Sequence, residues 1–220
     1  MMQRFILASG SPRRRDMITS LEINFEIIKP DVDETLIPEE NPFDYVRRLS
    51  ILKAETVADS LSVTATILAA DTIVLLAADT IGVDGQGDIL GKPVGEGAAW
   101  DMLRRLRGRD HVVCTAFTLM KVDGQSRQQI TELVRTTVHM RQYSDDEIAT
   151  YIASEDPFDK AGGYAIQNTN FNPAAHIDGC YNNVVGLPLC AVKRALAQVG
   201  WENITVSDEC DCPAFVFPVK

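Results

Sequence analysis

The amino-acid sequence predicts an α/β fold. Patterns typical of strands and of amphipathic helices alternate along most of the 220 residues. Residues 65–70 form a continuous apolar run, which is typical of a strand buried on both faces. A chain of this length can bury the core of one domain, or of two lobes around a cleft. We assign residues 1–200 to this unit and treat 201–220 as a tail of unassigned structure.

The first half of the chain contains two clear helix starts. Ser11-Pro12 and Asn41-Pro42 each place a good N-cap residue before a proline, which is favoured in the first turn of a helix. The second of these helices keeps its apolar period to about Ser60. We predict strands at residues 5–8, 25–28 and 65–70.

Patterns in the second half of the chain predict, in order, a helix, two strands, a helix, a long loop and a last helix. The first helix is stopped by Gly108, and a capping box at residues 144–147 opens the next one. The loop at 156–183 is rich in Gly, Asn and Pro, and loops of this length are usually functional. The predicted strands are 111–120 and 131–141, and the last helix follows Gly186-Leu-Pro188 and ends at Gly200.

Composition and charge exclude several classes of protein. The net charge of −10 argues against charge-driven binding to nucleic acid, although it permits a small basic pocket for a phosphorylated metabolite. No apolar run approaches the roughly 20 residues of a membrane span, and the apolar start is too short for a secretory signal. The five cysteines lack the spacing of a disulfide framework or a zinc site. We therefore expect a cytoplasmic protein with no membrane or nucleic-acid partner.

The most informative segment lies between the first strand and the first helix. The small residues Ser9, Gly10 and Ser11 precede a helix start, where unpaired backbone N–H groups attract anions. Arg13, Arg14 and Arg15 follow in the first turn, where positive charge is unfavourable unless an anion compensates it. We interpret this segment as a phosphate-binding loop; the alternative is a solvated basic patch on an amphipathic helix.

Four further elements lie in loops, at predicted strand ends or on the following helix. Lys53 and Lys92 are candidate cations for a triphosphate, and Glu34 and a strand-end Asp are candidate ligands for a divalent cation. A carboxylate can also activate a water molecule for attack on phosphorus. The loop amide of Gln167 is a candidate for reading a base. Taken singly, each residue has an ordinary structural explanation, such as a capping Asp, a solvated Lys or a turn at Gly91-Lys92-Pro93.

Taken together, these motifs resemble the Maf family of nucleoside triphosphate pyrophosphatases. The matching segments appear in family order and span nearly the whole chain except its last 20 or so residues. They are Leu7-Ala-Ser-Gly-Ser-Pro-Arg-Arg14, Lys53-Ala54, Ala70-Asp-Thr-Ile-Val74, Ile89-Leu-Gly-Lys-Pro93, Met102-Leu-Arg-Arg-Leu-Arg-Gly-Arg-Asp-His111, Asp159-Lys-Ala-Gly-Gly-Tyr-Ala-Ile-Gln167 and Gly179-Cys-Tyr-Asn-Asn-Val-Val-Gly-Leu-Pro-Leu189.

The resemblance implies a mixed twisted sheet with flanking helices, two lobes around a central cleft and a fold like that of inosine triphosphatases. It implies hydrolysis of the α–β phosphoanhydride to a nucleoside monophosphate and pyrophosphate, with Mg²⁺ or Mn²⁺ as cofactor, by a homodimer. The motif that ends at Gln167 resembles the branch that acts on dTTP and UTP.

The resemblance also implies roles for individual residues. Ser9, Arg13 and Arg14 bind phosphate, Glu34 and Lys53 line the site, and Lys92 stabilises charge on the phosphates. Gln167 contacts the base. The Asp of Ala-Asp-Thr is the proposed base or metal-linked carboxylate, so that Glu34 and this Asp are the candidate metal ligands.

The sequence contains two copies of that Ala-Asp-Thr motif. Leu68-Ala-Ala-Asp-Thr-Ile73 recurs as Leu76-Ala-Ala-Asp-Thr-Ile81, so either Asp71 or Asp79 is the functional aspartate. The spacing from Lys53 favours Asp71, whereas the spacing to Lys92 favours Asp79. We favour Asp71 because a complete predicted strand leads into it. A non-catalytic nucleotide-binding protein, in which the repeat has displaced the carboxylate, is the alternative function.

Overall fold

The computed structural model describes residues 4–76, 88–202 and 204, and within them seven strands form one mixed sheet. Helices flank this sheet, so the predicted α/β fold is confirmed. The strands are β1 (Phe5–Ala8), β2 (Phe25–Ile27), β3 (Ala65–Leu76), β4 (Asp88–Leu90), β5 (Asp110–Asp123), β6 (Ser126–Met140) and β7 (Ala174–Asp178). The helices are α1 (Pro12–Thr19), α2 (Pro42–Asp59), α3 (Gly95–Leu106), α4 (Asp145–Ala153), α5 (Tyr181–Val185) and α6 (Leu189–Gln198).

The strands lie in the order β2-β1-β3-β5-β6-β7. β1 runs parallel to both β2 and β3, whereas β3, β5, β6 and β7 pair antiparallel in succession. β4 pairs antiparallel with the second half of β3. The sheet is therefore mixed, with its parallel part around β1.

β3 has two different neighbours on one of its edges. β1 pairs with its first half and stops at Ala8, opposite Ala69. β4 pairs with its second half, beginning at Val74 opposite Leu90. Between these two pairings, among the residues that the structure describes, Asp71 and Thr72 have no strand beside them on this edge. The other edge is paired with β5 from Ala65 to Leu75, so β3 continues across the opening without a break.

Alternation along β3 sends its side chains to two opposite layers. Ile67 and Ile73 pack with residues of α2, whereas Leu68 packs with residues of α1 and α6. By the same period, Asp71 faces α2 and Thr72 faces the opposite side. The opening in the edge thus exposes one polar side chain on each face of the sheet.

The predicted helix starts are confirmed. The Ser11 hydroxyl accepts a hydrogen bond from the Arg14 N–H at 3.4 Å, and the Asn41 amide oxygen accepts from the Phe43 N–H at 2.8 Å. The capping box of α4 is also present, with reciprocal bonds between Ser144 and Glu147. Side-chain caps replace the missing acceptors of the first helical turn, which is why these boundaries could be recognised locally.

The structure corrects two predicted boundaries. β3 does not end at Ala70, so Asp71 lies inside a strand and not at its end; the apolar residues 73–76 continue the strand because β4 and β5 pair with them. The predicted loop 156–183 contains β7 and the first residues of α5. β7 is short and mostly exposed, so its sequence has no apolar pattern that would predict a strand. It is a strand because it pairs with β6, which lies far from it in the sequence.

Several predictions fall outside the described residues. These are Asp79 and nearly all of the tail 201–220, together with the hairpin turn that the pair Asp84-Gly85 predicts. In the segments that the structure does describe, no helix is long and apolar enough to cross a membrane.

A histidine–aspartate cluster joins β6 to the edge strand β7. The His139 ring contacts the Asp110 carboxylate through Nδ1 at 2.7 Å and the Asp178 carboxylate through Nε2 at 3.0 Å. His176 contacts the other oxygen of Asp178 at 2.7 Å and stacks on His139. The hydrogen bonds to Asp178 and Asp110 raise the pKa of His139.

This raised pKa makes the stability of the protein depend on pH. A group whose pKa is higher in the folded state stabilises the fold below its unfolded pKa, about 6.5 for His, and loses that effect as the pH rises through the folded value. We expect His139→Gln to lower the free energy of unfolding more at about pH 5.5 than at about pH 9.

Urea unfolding of the two proteins at both pH values measures this difference. Asp178→Asn is the control, and it should shrink the difference because it removes the larger cause of the pKa shift. Parallel stability curves for the wild type and His139→Gln would contradict the prediction.

Candidate functional site

A cleft of about 690 Å³ lies over the opening between β1 and β4. The turn before α1, the middle of β3, the turn after β4 and the segment 159–167 all contribute to its walls. Every site residue predicted from the sequence that the structure describes lines this cleft. These residues are Ser9, Arg13, Arg14, Glu34, Lys53, Asp71, Lys92 and Gln167.

Lys53 connects two carboxylates on the α2 side of the cleft. Its Nζ lies 2.6 Å from Asp71 Oδ1 and 2.8 Å from Glu34 Oε1. The side chains of Lys53 and Asp71 are only 10% and 14% exposed, whereas that of Glu34 is 57% exposed. A nearly buried ion pair of this kind holds both partners in fixed positions, because separating them leaves a charge without compensation. Glu34 reaches the same ammonium group from a solvent-facing loop.

The pKa of Asp71 reflects opposing effects. Burial raises it, and the positive charges of Lys53 and Arg14 act against the rise. Burial likewise lowers the pKa of the Arg14 guanidinium, with Asp71 opposing that shift. A carboxylate whose pKa lies above its usual range is a better proton acceptor than an ordinary surface aspartate.

Arg14 holds three parts of the chain together. Its guanidinium donates to the carbonyl of Ala70 at 2.7 Å, to the hydroxyl of Thr72 at 3.0 Å and to the carbonyl of Gly186 at 2.9 Å. Ala70 is the first residue of β3 beyond the pairing with β1, so Arg14 binds a backbone acceptor that β1 leaves behind. Three of its five N–H donors serve the fold, which leaves two for a ligand.

Arg13 reaches across the cleft. It donates to the Asp159 carboxylate at 3.1 Å and to the Asp159 carbonyl at 3.3 Å. The other carboxylate oxygen of Asp159 accepts from Lys160 Nζ at 2.5 Å. This pair joins the first turn of α1 to the segment 159–167, and the exposed Asp159 side chain leaves it open to exchange with another anion.

The turn before α1 is compact. Ser9 is buried, and its hydroxyl accepts a hydrogen bond from the Ser11 N–H at 3.2 Å. A side chain on Gly10 would meet the Lys29 side chain at 3.2 Å, so glycine suits this close approach. The turn thus brings the α1 N-terminus and Arg13 to the cleft together.

Lys92 and Gln167 lie on segments that contact each other. The Gly162 N–H donates to the carbonyl of Gly91 at 3.0 Å, and Gly162 has a positive φ of 73° that favours glycine. The hydroxyl of Tyr164, buried beneath this wall, contacts Nε2 of His111 at 2.7 Å. Burial lowers the pKa of His111 to about 3, so its ring is neutral.

The donor set fits a metal ion that arrives with a phosphorylated ligand. Mg²⁺ is usually bound by one or two carboxylates together with phosphate oxygens and waters. Glu34 and Asp71 supply two carboxylates around one ammonium group. Among the described residues, no group of three or more His, Cys, Asp or Glu side chains could hold a metal ion alone.

Some residues of the cleft have no role that the sequence predicts. Thr72 contacts Arg14 and the Thr115 hydroxyl, and the hydroxyl of Tyr45 donates to the carbonyl of Glu34 at 2.9 Å. Tyr45 belongs to the apolar period of α2, and that period does not indicate any contact of its hydroxyl. The carboxylate beside Glu34 in the sequence, Asp33, accepts two hydrogen bonds from Thr35.

Comparisons with known proteins identify relatives of this chain. The family model described as Maf-like protein matches residues 4–199. The dTTP/UTP pyrophosphatase of Syntrophus aciditrophicus (strain SB) is 43% identical over 199 residues, which cover 90% of this chain and 91% of that protein. The dTTP/UTP pyrophosphatase of Geotalea uraniireducens (strain Rf4) is 44% identical over 195 residues, which cover 89% and 94%.

A solved structure, the Staphylococcus aureus Ham1 protein, is similar at 14% identity with a TM-score of 0.45, over 88% of this chain and 100% of that chain. The match to the family model covers nearly the whole described chain and includes every site residue above. The chain belongs to the Maf-like protein family.

Proposed function

We propose that this protein hydrolyses the α–β phosphoanhydride of dTTP and UTP, releasing the nucleoside monophosphate and pyrophosphate, and so removes nucleotides from the pool. The central observation is the carboxylate of Asp71, held by Lys53 in a cleft that also contains Arg13 and Lys92. Two relatives that are more than two-fifths identical to this chain bear the name dTTP/UTP pyrophosphatase.

In the proposed mechanism, cations of the cleft bind and orient the triphosphate. Arg13, Lys92 and the N–H groups at the start of α1 contact phosphate oxygens, while Arg14 uses its remaining donors. Asp71 accepts a proton from the attacking water, and its raised pKa favours that transfer. Lys53 keeps Asp71 in place, and Gln167 contacts the base.

A divalent cation, Mg²⁺ or Mn²⁺, is part of the proposal, with Glu34 and Asp71 as its ligands. When bound, it neutralises charge on the phosphates and polarises the bond that breaks. We also propose a cytoplasmic location, where such nucleotides occur, and a homodimer, which light scattering would detect.

A panel of nucleoside triphosphates tests the proposed reaction. We expect dTTP and UTP to yield pyrophosphate and the monophosphate, with no orthophosphate, because the attack is at the α-phosphorus. Chromatography of the nucleotide together with separate assays of the two phosphates distinguishes these outcomes. Tight binding of dTTP without any release of pyrophosphate would instead support a non-catalytic nucleotide-binding protein.

Asp71→Asn should lower kcat for dTTP about 100-fold or more, because the amide cannot accept the proton from water. Asp79→Asn makes the same chemical change in the second copy of the motif, so it serves as the matched control and should keep kcat near that of the wild type. Steady-state kinetics of both variants measures the difference. Full activity of Asp71→Asn combined with loss in Asp79→Asn would assign the role to Asp79.

Removal of the metal should abolish turnover. We expect a chelator to stop pyrophosphate release, and Mg²⁺ or Mn²⁺ to restore it. Glu34→Gln should raise the Mg²⁺ concentration that gives half-maximal rate about tenfold, since a carboxylate ligand becomes a weaker amide ligand. Asp33→Asn is the matched control, because Asp33 bonds only Thr35 in the contacts described above. Turnover that persists in the chelator would overturn the metal assignment.

A further inference from the structure

Tyr151 lies behind the wall of the cleft and does not line it. It is a buried residue of α4, only 3% exposed, and its ring stacks on Phe171 with centroids 4.2 Å apart. Its hydroxyl donates to Asp156 Oδ2 at 2.8 Å and accepts from the backbone N–H of Ala165 at 2.9 Å. One hydrogen bond of this hydroxyl therefore holds the wall segment 159–167 at Ala165, and the other reaches Asp156, three residues before that segment.

Asp156 is the centre of this network. Its carboxylate also accepts hydrogen bonds from Lys160 Nζ at 2.9 Å and from the Asn168 side chain at 3.1 Å. Burial alone would raise the pKa of Asp156, but the hydrogen bonds from Lys160, Tyr151 and Asn168 hold it below its usual value. Asp156 is thus ionised, and burial keeps the Tyr151 hydroxyl protonated by raising its pKa.

Two glycines lie just before the residue that Tyr151 contacts. Gly162 and Gly163 precede it, and both have positive φ values, so the local backbone has little intrinsic preference for one conformation. Residues 165–167 line the cleft, and the bond to Tyr151 fixes the backbone N–H at the start of this short stretch. Gln167, the proposed contact to the base, is two residues further along.

We propose that the Tyr151 hydroxyl is a positioning group for base recognition: by holding the Ala165 N–H, it sets the place of Gln167 and hence the discrimination between bases. Tyr151 does not touch the nucleotide. The proposal rests on the proposed function, because it takes Gln167 as the contact to the base.

Tyr151→Phe tests this role, because it removes the hydroxyl and keeps the ring. We expect the ratio of kcat/KM for dTTP to that for dCTP to fall about five- to tenfold, with the loss in KM for dTTP, because the Ala165 N–H loses its partner and Gln167 is no longer held in one place. Inhibition by inorganic tripolyphosphate, which has no base, should stay within about twofold of the wild type.

Tyr143→Phe is the matched control. Tyr143 is also a buried tyrosine that packs on Phe171, but its hydroxyl donates to the carbonyl of Leu103, away from the cleft. We expect the dTTP-to-dCTP ratio of this variant to equal that of the wild type. Asp156→Asn is a second variant of the network, and it should lower the ratio in the same direction as Tyr151→Phe.

Three results would overturn the inference. One is an unchanged ratio in folded Tyr151→Phe, a second is an equal loss of affinity for dTTP and tripolyphosphate, and a third is the same fall in Tyr143→Phe. If the wild type fails to hydrolyse dTTP, the proposed function fails. Calorimetric binding of dTTP, dCTP and tripolyphosphate to the same variants then tests the positioning role on its own.

Discussion

The site depends on an interruption in the pairing of one strand. β3 changes neighbour from β1 to β4, and Asp71 and Thr72 lie between the two pairings. Because β5 pairs with the other edge along the same stretch, polar side chains can occupy the centre of the sheet without breaking the strand. Arg14 satisfies the Ala70 carbonyl at this point, and Lys53 compensates the Asp71 charge. A continuous β1 would have covered the cleft.

Local signals were sufficient for much of the fold. The caps at Ser11 and Asn41 and the capping box at Ser144 depend on neighbouring residues, so the sequence placed these helices correctly. The end of β3 and the whole of β7 depend on strands far away in the chain. An apolar pattern does not show which strand will pair with a segment. For this reason the sequence did not predict the end of β3 or the presence of β7.

For the site, chemistry was easier to predict than contacts. Charged side chains in loops and motifs suggested a polyphosphate ligand, and the structure gathers those it describes into one cleft. The sequence does not distinguish the contacts of the adjacent residues Arg13 and Arg14. In the structure, Arg13 pairs with an exposed carboxylate, whereas Arg14 donates to backbone carbonyls and a hydroxyl. The sequence likewise did not indicate the proposed role of Tyr151, because this residue belongs to the apolar period of α4 and the period says nothing of its hydroxyl.

Two cations of the cleft, Arg13 and Lys53, are already paired with carboxylates in the free protein. Arg13 contacts Asp159, and Lys53 contacts Asp71 and Glu34. In the proposed mechanism, a triphosphate binds by exchange: it replaces the exposed Asp159 at Arg13 at little cost, whereas the nearly buried pair of Lys53 and Asp71 resists separation. The same mechanism uses this difference in burial: the exposed pair at Arg13 gives way to the phosphates, and the buried pair of Lys53 and Asp71 keeps its geometry during the reaction.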